Sequence, residues 1–175
     1  MGLKVIQNRS KGLSGFIEEY RNATQIPAPK FSTFKVKNLF ENIKILFSEE
    51  IKSMKIIFSI HIEPLNLKLT ADKILMEQVL INLVNNAIYF LNVIKSPKID
   101  LIAKEIENGI IIKVRDNGPG ISSKFIEDIF IPFFTTKEKG SGIGLSLCRQ
   151  IMRLHKGMIS VQSIEGKEST FTLSF

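Results

Sequence analysis

The amino-acid sequence predicts an α+β fold: a two-layer α/β sandwich in which a mixed sheet of about five strands packs on three helices, preceded by an N-terminal helix. Short runs rich in β-branched and aromatic residues are typical of strands, and they alternate with longer segments whose apolar residues recur every three or four positions, as in helices. The chain has 175 residues, 44% of them hydrophobic, which is enough to fill the core of one domain.

Residues 1–26 predict a separate helix with one apolar seam. Between Leu3 and Tyr20 the seam follows a 3-4-3-4-3 spacing, interrupted by Ser10, which is typical of a helix that packs on another helix. An amphipathic helix folded back on its own domain would show the same spacing. The pattern therefore indicates a helix and leaves its packing partner open.

A linker is predicted at residues 27–33, and the main domain at residues 34–175. Pro27 and Pro29 cannot continue a helix, because proline lacks the backbone N–H and restricts the residue before it. The main domain then begins with a strand in FKVKN, a helix in LFENIKILFSEEIKSM, and strands in KIIFSIHIE and LNLKLTA.

A long helix is predicted in DKILMEQVLINLVNNAIYFLNVI, with Asp72 as its N-cap, because a carboxylate accepts from the free N–H groups at the positive end of a helix. KIDLIAKEIE and GIIIKVRD form a hairpin around Asn108-Gly109, a dipeptide that favours the tight turn between strands. A short helix near SKFIEDIF and a helix from about Ile143 to His155 follow. The chain ends in two strands, MISVQS and STFTLSF.

The net charge of +7 belongs mainly to the N-terminal part of the chain. Residues 1–40 carry seven basic and two acidic side chains, a balance of +5, whereas the other 135 residues carry 17 basic and 15 acidic side chains, a balance of +2. A domain so nearly balanced lacks the basic surface of a nucleic-acid-binding protein. Nucleic-acid binding therefore stays a less favoured alternative, and we expect no nucleic-acid partner.

The composition also argues against several other classes. The single cysteine, Cys148, allows no internal disulfide, and with two histidines it cannot complete an ordinary structural zinc site. No uncharged apolar stretch reaches about 18 residues, so we expect no contact with a membrane. The first ten residues have neither the apolar region of a signal peptide nor the Ser or Thr of a myristoylation signal. We therefore expect a cytoplasmic domain.

Three asparagines, Asn82, Asn85 and Asn86, lie within the predicted long helix. Asn82 and Asn86 are four residues apart and therefore share one face of it. Asparagine is a poor helix former, so several in a helix interior indicate a polar role, such as capping neighbouring loops, facing water or binding a ligand. A side-chain carbonyl is also a suitable hard ligand for Mg²⁺ that is shared with phosphates.

The segment RDNGPGIS follows the apolar run GIIIKV and combines Asp116 with Gly118, Pro119 and Gly120. Asn-Gly and Pro-Gly are common turn dipeptides, so a tight turn is one explanation of the segment. The other is that Asp116 faces a ligand, and that the glycines let this ligand approach the backbone closely. The segment alone does not decide between the two.

A third segment, KEKGSGIGLSLCRQI, places Gly140, Gly142 and Gly144 before or at the start of a helix, with Lys137 and Lys139 beside them. Backbone N–H groups in such a loop, with the helix dipole behind them, form an anion site. A flexible hinge is the alternative. The flanking lysines favour phosphates held by a mobile segment.

The motifs also match a known family in their order and spacing. EQVLINLVNNAI resembles the N box, RDNGPGI the first glycine box, IFIPFFTTK the F box and GSGIGLSL the second glycine box of the histidine protein kinases. The tail LHKGMISVQSIEGKESTFTLSF is similar to the closing strand pair of their ATP-binding catalytic domain. The resemblance covers roughly residues 30–175. It implies the Bergerat-type fold shared with gyrase-type ATPases, with ATP and Mg²⁺ as cofactors.

The resemblance assigns roles to individual residues. Asn86 falls at the Mg²⁺-binding asparagine, and Asn82 lies one turn before it. Asp116 falls at the aspartate that accepts a hydrogen bond from the adenine amino group, with Gly118 and Gly120 lining the base. The resemblance thus implies Asn82 and Asn86 as catalytic residues, Asn86 as metal ligand, and a nucleotide site of Asn82, Asn85, Asn86, Phe90, Asp116, Gly118, Gly120, Ile121, Phe134, Thr135, Thr136, Lys137, Gly140, Ser141, Gly142, Ile143, Gly144, Leu145 and Ser169.

The aromatic residues of the F box have more than one interpretation. Phe133 and Phe134 resemble side chains that anchor the mobile segment over the nucleotide or dock on the acceptor helix, while core packing is the alternative. For Phe130 we expect core packing. Ser169 and Thr170 lie near the position of a hydroxyl that assists the adenine aspartate in the family.

Two positions depart from the family pattern. Tyr89 stands where many members have a Lys or Arg that reaches the phosphates, and Lys137 or Lys139 is the candidate to replace that charge. His155 is followed by Lys156-Gly157 where a Gly-Gly pair is usual, which we interpret as a change of turn.

Position 82 separates two chemistries. Gyrase-type ATPases resemble this sequence but have a glutamate there as general base for water, and the amide of Asn82 cannot take a proton. The resemblance therefore implies ATP bound with little hydrolysis, its γ-phosphate presented to a histidine on a dimeric helical hairpin, and onward transfer to a response regulator. An ATPase or serine kinase of the same superfamily, and an ATP-sensing module without transfer, are the alternatives.

Residues 1–26 resemble the end of the second helix of that hairpin. The acceptor histidine is missing, because His61 lies in a predicted strand and His155 follows a helix. We therefore expect a fragment of a longer sensor kinase, which leaves open whether the whole protein is anchored in a membrane. The expected partners are ATP or ADP, the hairpin of the same kinase (in cis, or in trans within a homodimer) and a response regulator receiver domain.

Overall fold

The computed structural model describes residues 26–138 and 140–175, so the predicted N-terminal helix and Lys139 lie outside the described residues. In chain order the elements are β1 (Ser32–Lys35), α1 (Val36–Leu46), α2 (Ser48–Ser53), β2 (Ile57–Glu63), β3 (Lys68–Ala71), α3 (Lys73–Leu91), β4 (Lys98–Ile106), β5 (Gly109–Asp116), a 3₁₀ turn (Ser123–Phe125), α4 (Gly144–Leu154), β6 (Met158–Ile164) and β7 (Glu168–Ser174).

The main sheet has five strands in the order β2-β4-β5-β7-β6. β2 pairs with β4 in parallel and the other neighbours are antiparallel, so the sheet is mixed. The predicted hairpin around Asn108-Gly109 joins β4 to β5. Helices α1, α3 and α4 contact β2, β5 and β6 respectively. The predicted α+β sandwich of a mixed sheet on three helices is confirmed.

A second sheet consists of β1 and β3 alone, which pair antiparallel. The hydroxyls of Thr33 and Thr70 are 2.8 Å apart across this pair. The strand predicted in FKVKN is shifted: it ends at Lys35, and Val36, which is fully buried, is the first residue of α1. Ser32 and Thr33, which we assigned to the linker, therefore belong to a strand.

The helix predicted in LFENIKILFSEEIKSM begins earlier, at Val36, and is divided at Phe47. Phe47 has φ −99° and ψ 19°, and its side chain is buried in the core. The apolar spacing continues through Phe47 because the residue stays buried although its backbone leaves the helix. Periodicity alone therefore could not reveal the division.

Helix α3 is the centre of the domain, with Leu80, Leu83 and Val84 almost completely buried. Asp72 caps it as predicted, accepting hydrogen bonds from the N–H groups of Ile74 (3.0 Å) and Leu75 (3.1 Å). By length and composition alone this helix could cross a membrane. This is weak evidence, because the buried core helix of a soluble protein passes the same test. Its buried side chains form the core of the domain.

Asp72 also joins three parts of the chain. Its second carboxylate oxygen accepts from the backbone N–H of Lys30 (2.7 Å), and its own N–H donates to Nε2 of His155 (3.0 Å). The proton of His155 is therefore on Nδ1, which donates to the Ile151 carbonyl (2.8 Å), and the Phe31 ring lies edge-on to the imidazole. This junction fixes the start of the domain to the beginning of α3 and the end of α4.

Candidate functional site

A single cavity of about 580 Å³ brings the sequence motifs together. Its walls come from α3, the loop after β5, the segment that precedes α4, and β7. Of the residues assigned to the nucleotide site, all except Gly118 and Ile143 line it. Those that do are Asn82, Asn85, Asn86, Phe90, Asp116, Gly120, Ile121, Phe134, Thr135, Thr136, Lys137, Gly140, Ser141, Gly142, Gly144, Leu145 and Ser169.

Asp116 is the last residue of β5, and its side chain is buried at the cavity wall. One carboxylate oxygen accepts from the Gly118 N–H (2.9 Å). Burial raises the pKa of Asp116 to about 6, the nearby Glu168 adds to the rise, and the Gly118 hydrogen bond opposes it. A carboxylate with so little solvation is suited to a ligand that donates hydrogen bonds.

The two glycines after Asp116 have different structural reasons. A Cβ at Gly118 would lie 2.6 Å from the Asp116 carboxylate oxygen, so glycine there leaves room for the carboxylate rather than for a ligand. Gly120 has φ +71° and lines the cavity, and a Cβ on it would overlap the backbone of Ile164 and Glu165. The turn and the ligand interpretations of this segment are thus compatible.

Ser169 lies opposite Asp116 in the β5–β7 register, and its side chain is buried. Its hydroxyl is 3.0 Å from that of Ser163, which also accepts from the Ile121 N–H (2.8 Å). Among the described residues, its hydroxyl therefore pairs with Ser163 rather than with Asp116. Thr170 is opposite Arg115 and, by alternation along the strand, lies on the other face of the sheet. Assistance to the aspartate by Ser169 stays a prediction.

The asparagines of α3 reach the cavity from one side. The Asn86 carbonyl oxygen accepts from the Lys137 ammonium (2.6 Å). The Asn82 side chain lies beneath Gly144, with its carbonyl oxygen 3.5 Å from the position of a Cβ on that glycine. Its NH₂ group is buried without a hydrogen-bond partner among the described residues. Asn85 is exposed at the rim.

Lys137 is the one basic residue that lines this cavity in the described part of the chain. Its ammonium lies 4.5 Å from the centroid of the Tyr89 ring and 5.5 Å from that of Phe90. Burial lowers the pKa of Lys137 below its usual range. Position 89, where the family pattern has a basic residue, therefore receives a positive charge from another segment. Lys139, the other candidate, lies outside the described residues.

The F box and the second glycine box fold against each other. The Phe133 N–H donates to the Gly142 carbonyl (2.9 Å), and both residues have positive φ, 70° and 68°. Phe134 packs on Phe125, with centroids 5.6 Å apart. Phe130 is buried edge-on to Phe171, so core packing at Phe130 is confirmed. Gly144 opens α4, which places backbone N–H groups at the cavity.

Sequence reasoning missed several residues of the cavity wall. Phe171 lies two residues after Ser169 on the same face of β7, so strand alternation could have found it. Phe125 and Ile129 lie in SKFIEDIF, where we predicted a short helix; the structure forms a 3₁₀ turn over Ser123–Phe125 followed by further turns, so helical spacing did not indicate that these side chains face the cavity. Other lining residues that our prediction did not include are Ala87, Tyr89, Pro119 and Ser122.

Cys148 is expected to be chemically inert in the folded protein. It is completely buried, and burial raises the pKa of its thiol to about 12, so the reactive thiolate is suppressed about a thousandfold relative to the ordinary value of 9.0. We expect iodoacetamide at pH 8 to leave native protein unmodified and to alkylate Cys148 fully in denaturant. Rapid labelling of the native protein, read by mass spectrometry, would show that α4 opens locally.

A mixed sheet that presents a buried carboxylate, amide oxygens and a glycine-rich helix start in one cavity defines a nucleotide-binding domain of the kinase and ATPase class. The comparison with known proteins agrees. Residues 71–175 match the family described as histidine kinase-, DNA gyrase B-, and HSP90-like ATPase. The chain belongs to this family, and within it to the ATP-binding catalytic domains of sensor histidine kinases.

Individual relatives support the narrower assignment. The sensor histidine kinase ZraS of Escherichia coli (strain K12) is 42% identical over 106 residues, which cover 61% of this chain and 22% of ZraS. Sporulation kinase D of Bacillus subtilis (strain 168) is 30% identical over 174 residues, covering 97% of this chain and 34% of that protein. The chain thus spans about a third or less of these relatives.

Solved structures show the same fold. The nucleotide-free catalytic domain of histidine kinase ThkA has a TM-score of 0.74 and 35% identity, covering 83% of this chain and 95% of that chain. A complex of ThkA with the response regulator protein TrrA has a TM-score of 0.74 and 30% identity, covering 97% of this chain and 49% of that chain.

Proposed function

We propose that this chain binds ATP with Mg²⁺ and presents the γ-phosphate to a histidine on a helical hairpin of the same kinase. The bond between the γ-phosphorus and the β–γ bridging oxygen breaks as the unprotonated imidazole nitrogen bonds to phosphorus, ADP leaves, and the other ring nitrogen gives its proton to water. Transfer of this kind is mostly positioning and charge neutralisation, so it does not need a general base at position 82. The observation that carries the proposal is the convergence of Asp116 and Asn86 on one cavity.

Asp116 is the proposed partner of the adenine amino group. Its first oxygen is occupied by the Gly118 N–H, which leaves the second for a donor in the cavity. A charged acceptor in a buried position forms a strong hydrogen bond with an amino group and disfavours a carbonyl. This arrangement supports adenine over guanine.

The residues present fit Mg²⁺ at the phosphate end. Within the described residues, no group of three or more His, Cys, Asp or Glu could hold a metal, so a metal shared with phosphates and water fits better than a cage of protein ligands. The Asn86 carbonyl is a hard oxygen that already contacts a cation. We propose Asn86 as the protein ligand, and bound Mg²⁺ would supply charge neutralisation on the phosphates.

The side chain at position 82 favours transfer over hydrolysis. Asn82 cannot accept a proton from water, so the superfamily alternatives that need a general base there are disfavoured. An ATP-sensing module without transfer stays the second candidate, because Tyr89 departs from the family pattern.

The proposed partners follow from the relatives. ThkA has been solved with a response regulator, and we extend that partner class to this chain, with the hairpin of its own kinase as phosphoryl acceptor. His61 lies in β2, and His155 is held by the Asp72 junction, so neither is offered as an acceptor. We propose that the domain acts in the cytoplasm as part of a longer kinase.

Asn86→Ala should separate nucleotide binding from transfer. With γ-labelled ATP, Mg²⁺ and a separately supplied hairpin, we expect the wild type to place acid-labile label on the hairpin and the variant to lose roughly a hundredfold or more of this rate, because a metal ligand is removed. Little inorganic phosphate should appear with either protein.

Asn92→Ala is the matched control, since Asn92 follows the same helix and is exposed outside the cavity. Calorimetric titration with ATP and Mg²⁺ accompanies the assay. Nucleotide binding without transfer would favour the sensing module, and no binding by the wild type would refute the proposed function.

A further inference from the structure

The ammonium of Lys137 is held inside the cavity by groups that do not neutralise it. It donates to the Asn86 carbonyl at 2.6 Å and lies over the faces of Tyr89 and Phe90. An amide oxygen and ring faces attract a cation without cancelling its charge. Among the described residues, no carboxylate is within 4.0 Å of this ammonium. The wall of the cavity that contains Asn86 therefore carries a positive charge that no neighbouring carboxylate neutralises in the part of the chain that the structure describes.

The contact also occupies an atom that the proposed function needs. Asn86 presents one carbonyl oxygen, and two cations cannot share it at close range without strong repulsion. Lys137 is the last residue of the F box and lies outside any helix or strand, so its long side chain can move without disturbing the sheet. The Tyr89 ring stabilises this position of the ammonium.

We propose, resting on the proposed function, that Lys137 is the resident cation of the phosphate end of this cavity. Its ammonium donates to the Asn86 carbonyl as long as no metal binds there. When Mg²⁺ binds that carbonyl, the ammonium moves to the nucleotide phosphates. Tyr89 serves as its platform, which gives a role to the aromatic residue at a position where the family pattern often has a basic one. Lys137 is thus a phosphate-binding residue that also sets how strongly nucleotide binding depends on Mg²⁺.

The consequence is a distinctive metal dependence. Without Mg²⁺, the phosphates of ADP still meet a positive charge, so binding should persist in excess EDTA. Removing Lys137 removes that charge, and the metal-free complex suffers most. With Mg²⁺ present, much of the phosphate charge is already neutralised, so the same substitution should cost less.

The experiment measures the dissociation constant of ADP by calorimetry in Mg²⁺ and in EDTA. For Lys137→Met we expect the value in EDTA to rise about tenfold or more and the value in Mg²⁺ to rise clearly less, since a lost charged contact in a partly buried site weakens binding by at least about an order of magnitude. Lys124→Met is the control: it removes the same charge from the exposed 3₁₀ turn beside the cavity and should change neither constant.

Variants at position 89 test the platform. Tyr89→Phe keeps a ring face and should behave as wild type, whereas Tyr89→Leu should weaken metal-free binding in the same direction as Lys137→Met. Equal losses for Lys137→Met in Mg²⁺ and EDTA, or no loss in EDTA, would overturn this inference while leaving the proposed function intact. A wild type that binds ADP in neither condition would overturn both.

Discussion

Asp116→Asn is expected to weaken ATP binding severely and, at the same time, to stabilise the fold. The carboxylate has one oxygen on the Gly118 N–H and a second for the ligand. In the variant, the single carbonyl oxygen takes the Gly118 N–H, and an NH₂ group then faces the adenine amino group, donor against donor. Losing a charged hydrogen bond and adding this repulsion should weaken ATP binding about a hundredfold or more.

The gain in stability follows from the pKa of Asp116. Because burial raises this pKa from 3.8 to about 6, ionisation of Asp116 at neutral pH destabilises the folded state by about 3 kcal/mol. The uncharged side chain of the Asn variant does not carry this cost. The folded state binds the proton more tightly than the unfolded one. The contribution of this carboxyl to the free energy of unfolding is therefore most favourable below pH 3.8. It falls between pH 3.8 and about 6, and it is least favourable above that range.

Thermal unfolding of wild type and Asp116→Asn across this pH range provides the measurement. The difference in stability should grow as the pH rises towards 6 and level off above it. Calorimetry at pH 7.5 reports ATP binding on the same samples. A variant that is less stable than wild type at pH 7.5, or one that still binds ATP with wild-type affinity, would contradict the role given to this carboxylate.

Gly120→Ala is expected to cost about 2–4 kcal/mol of stability and to weaken ATP binding. The backbone at Gly120 has φ +71°, which an alanine adopts at a cost of about 1–2 kcal/mol. The added Cβ would also lie 2.8 Å from the Ile164 carbonyl carbon and 2.9 Å from the Glu165 Cα, closer than such atoms approach. These are backbone atoms, so the loop that lines the cavity must move.

Gly166→Ala is the matched control for this prediction. Gly166 has φ +78°, and a Cβ on it would meet nothing within 4 Å, so this variant has the conformational cost without the overlap. We expect a loss of about 1–2 kcal/mol and unchanged ATP affinity. Chemical denaturation gives both stabilities, and their difference isolates the overlap. Equal stabilities would mean that the loop after Asp116 adapts freely.

Local signals predicted much of the fold. Asp72 as N-cap and the hairpin around Asn108-Gly109 are decided by neighbouring residues, and both are confirmed. The pairing of β1 with β3 was not predictable, because strand partners are chosen by long-range packing. The sequence also did not predict that the helix is divided at Phe47, because a buried side chain continues the apolar spacing whether or not its backbone is helical.

The candidate site was predictable to a similar extent. The motifs located the cavity wall because each carries its own chemistry, yet they did not give the reason for Gly118, which is the space taken by the Asp116 carboxylate. Sequence analysis left two lysines as candidates for the missing charge, and only three-dimensional packing placed Lys137 beside Tyr89. Side-chain contacts between distant segments are set by the fold as a whole.

The junction at Asp72 ties the chain at Lys30 to two helices at once. The Lys30 N–H is bonded to the same carboxylate that caps α3, and His155 at the end of α4 accepts from the Asp72 N–H. A displacement of the chain at Lys30 therefore reaches the asparagine-bearing helix through the Asp72 carboxylate and the glycine-led helix through the Asp72 backbone N–H. Movement of Lys30 must carry Asp72 with it or break this hydrogen bond, so one residue links the chain at Lys30 to both helices that line the nucleotide cavity.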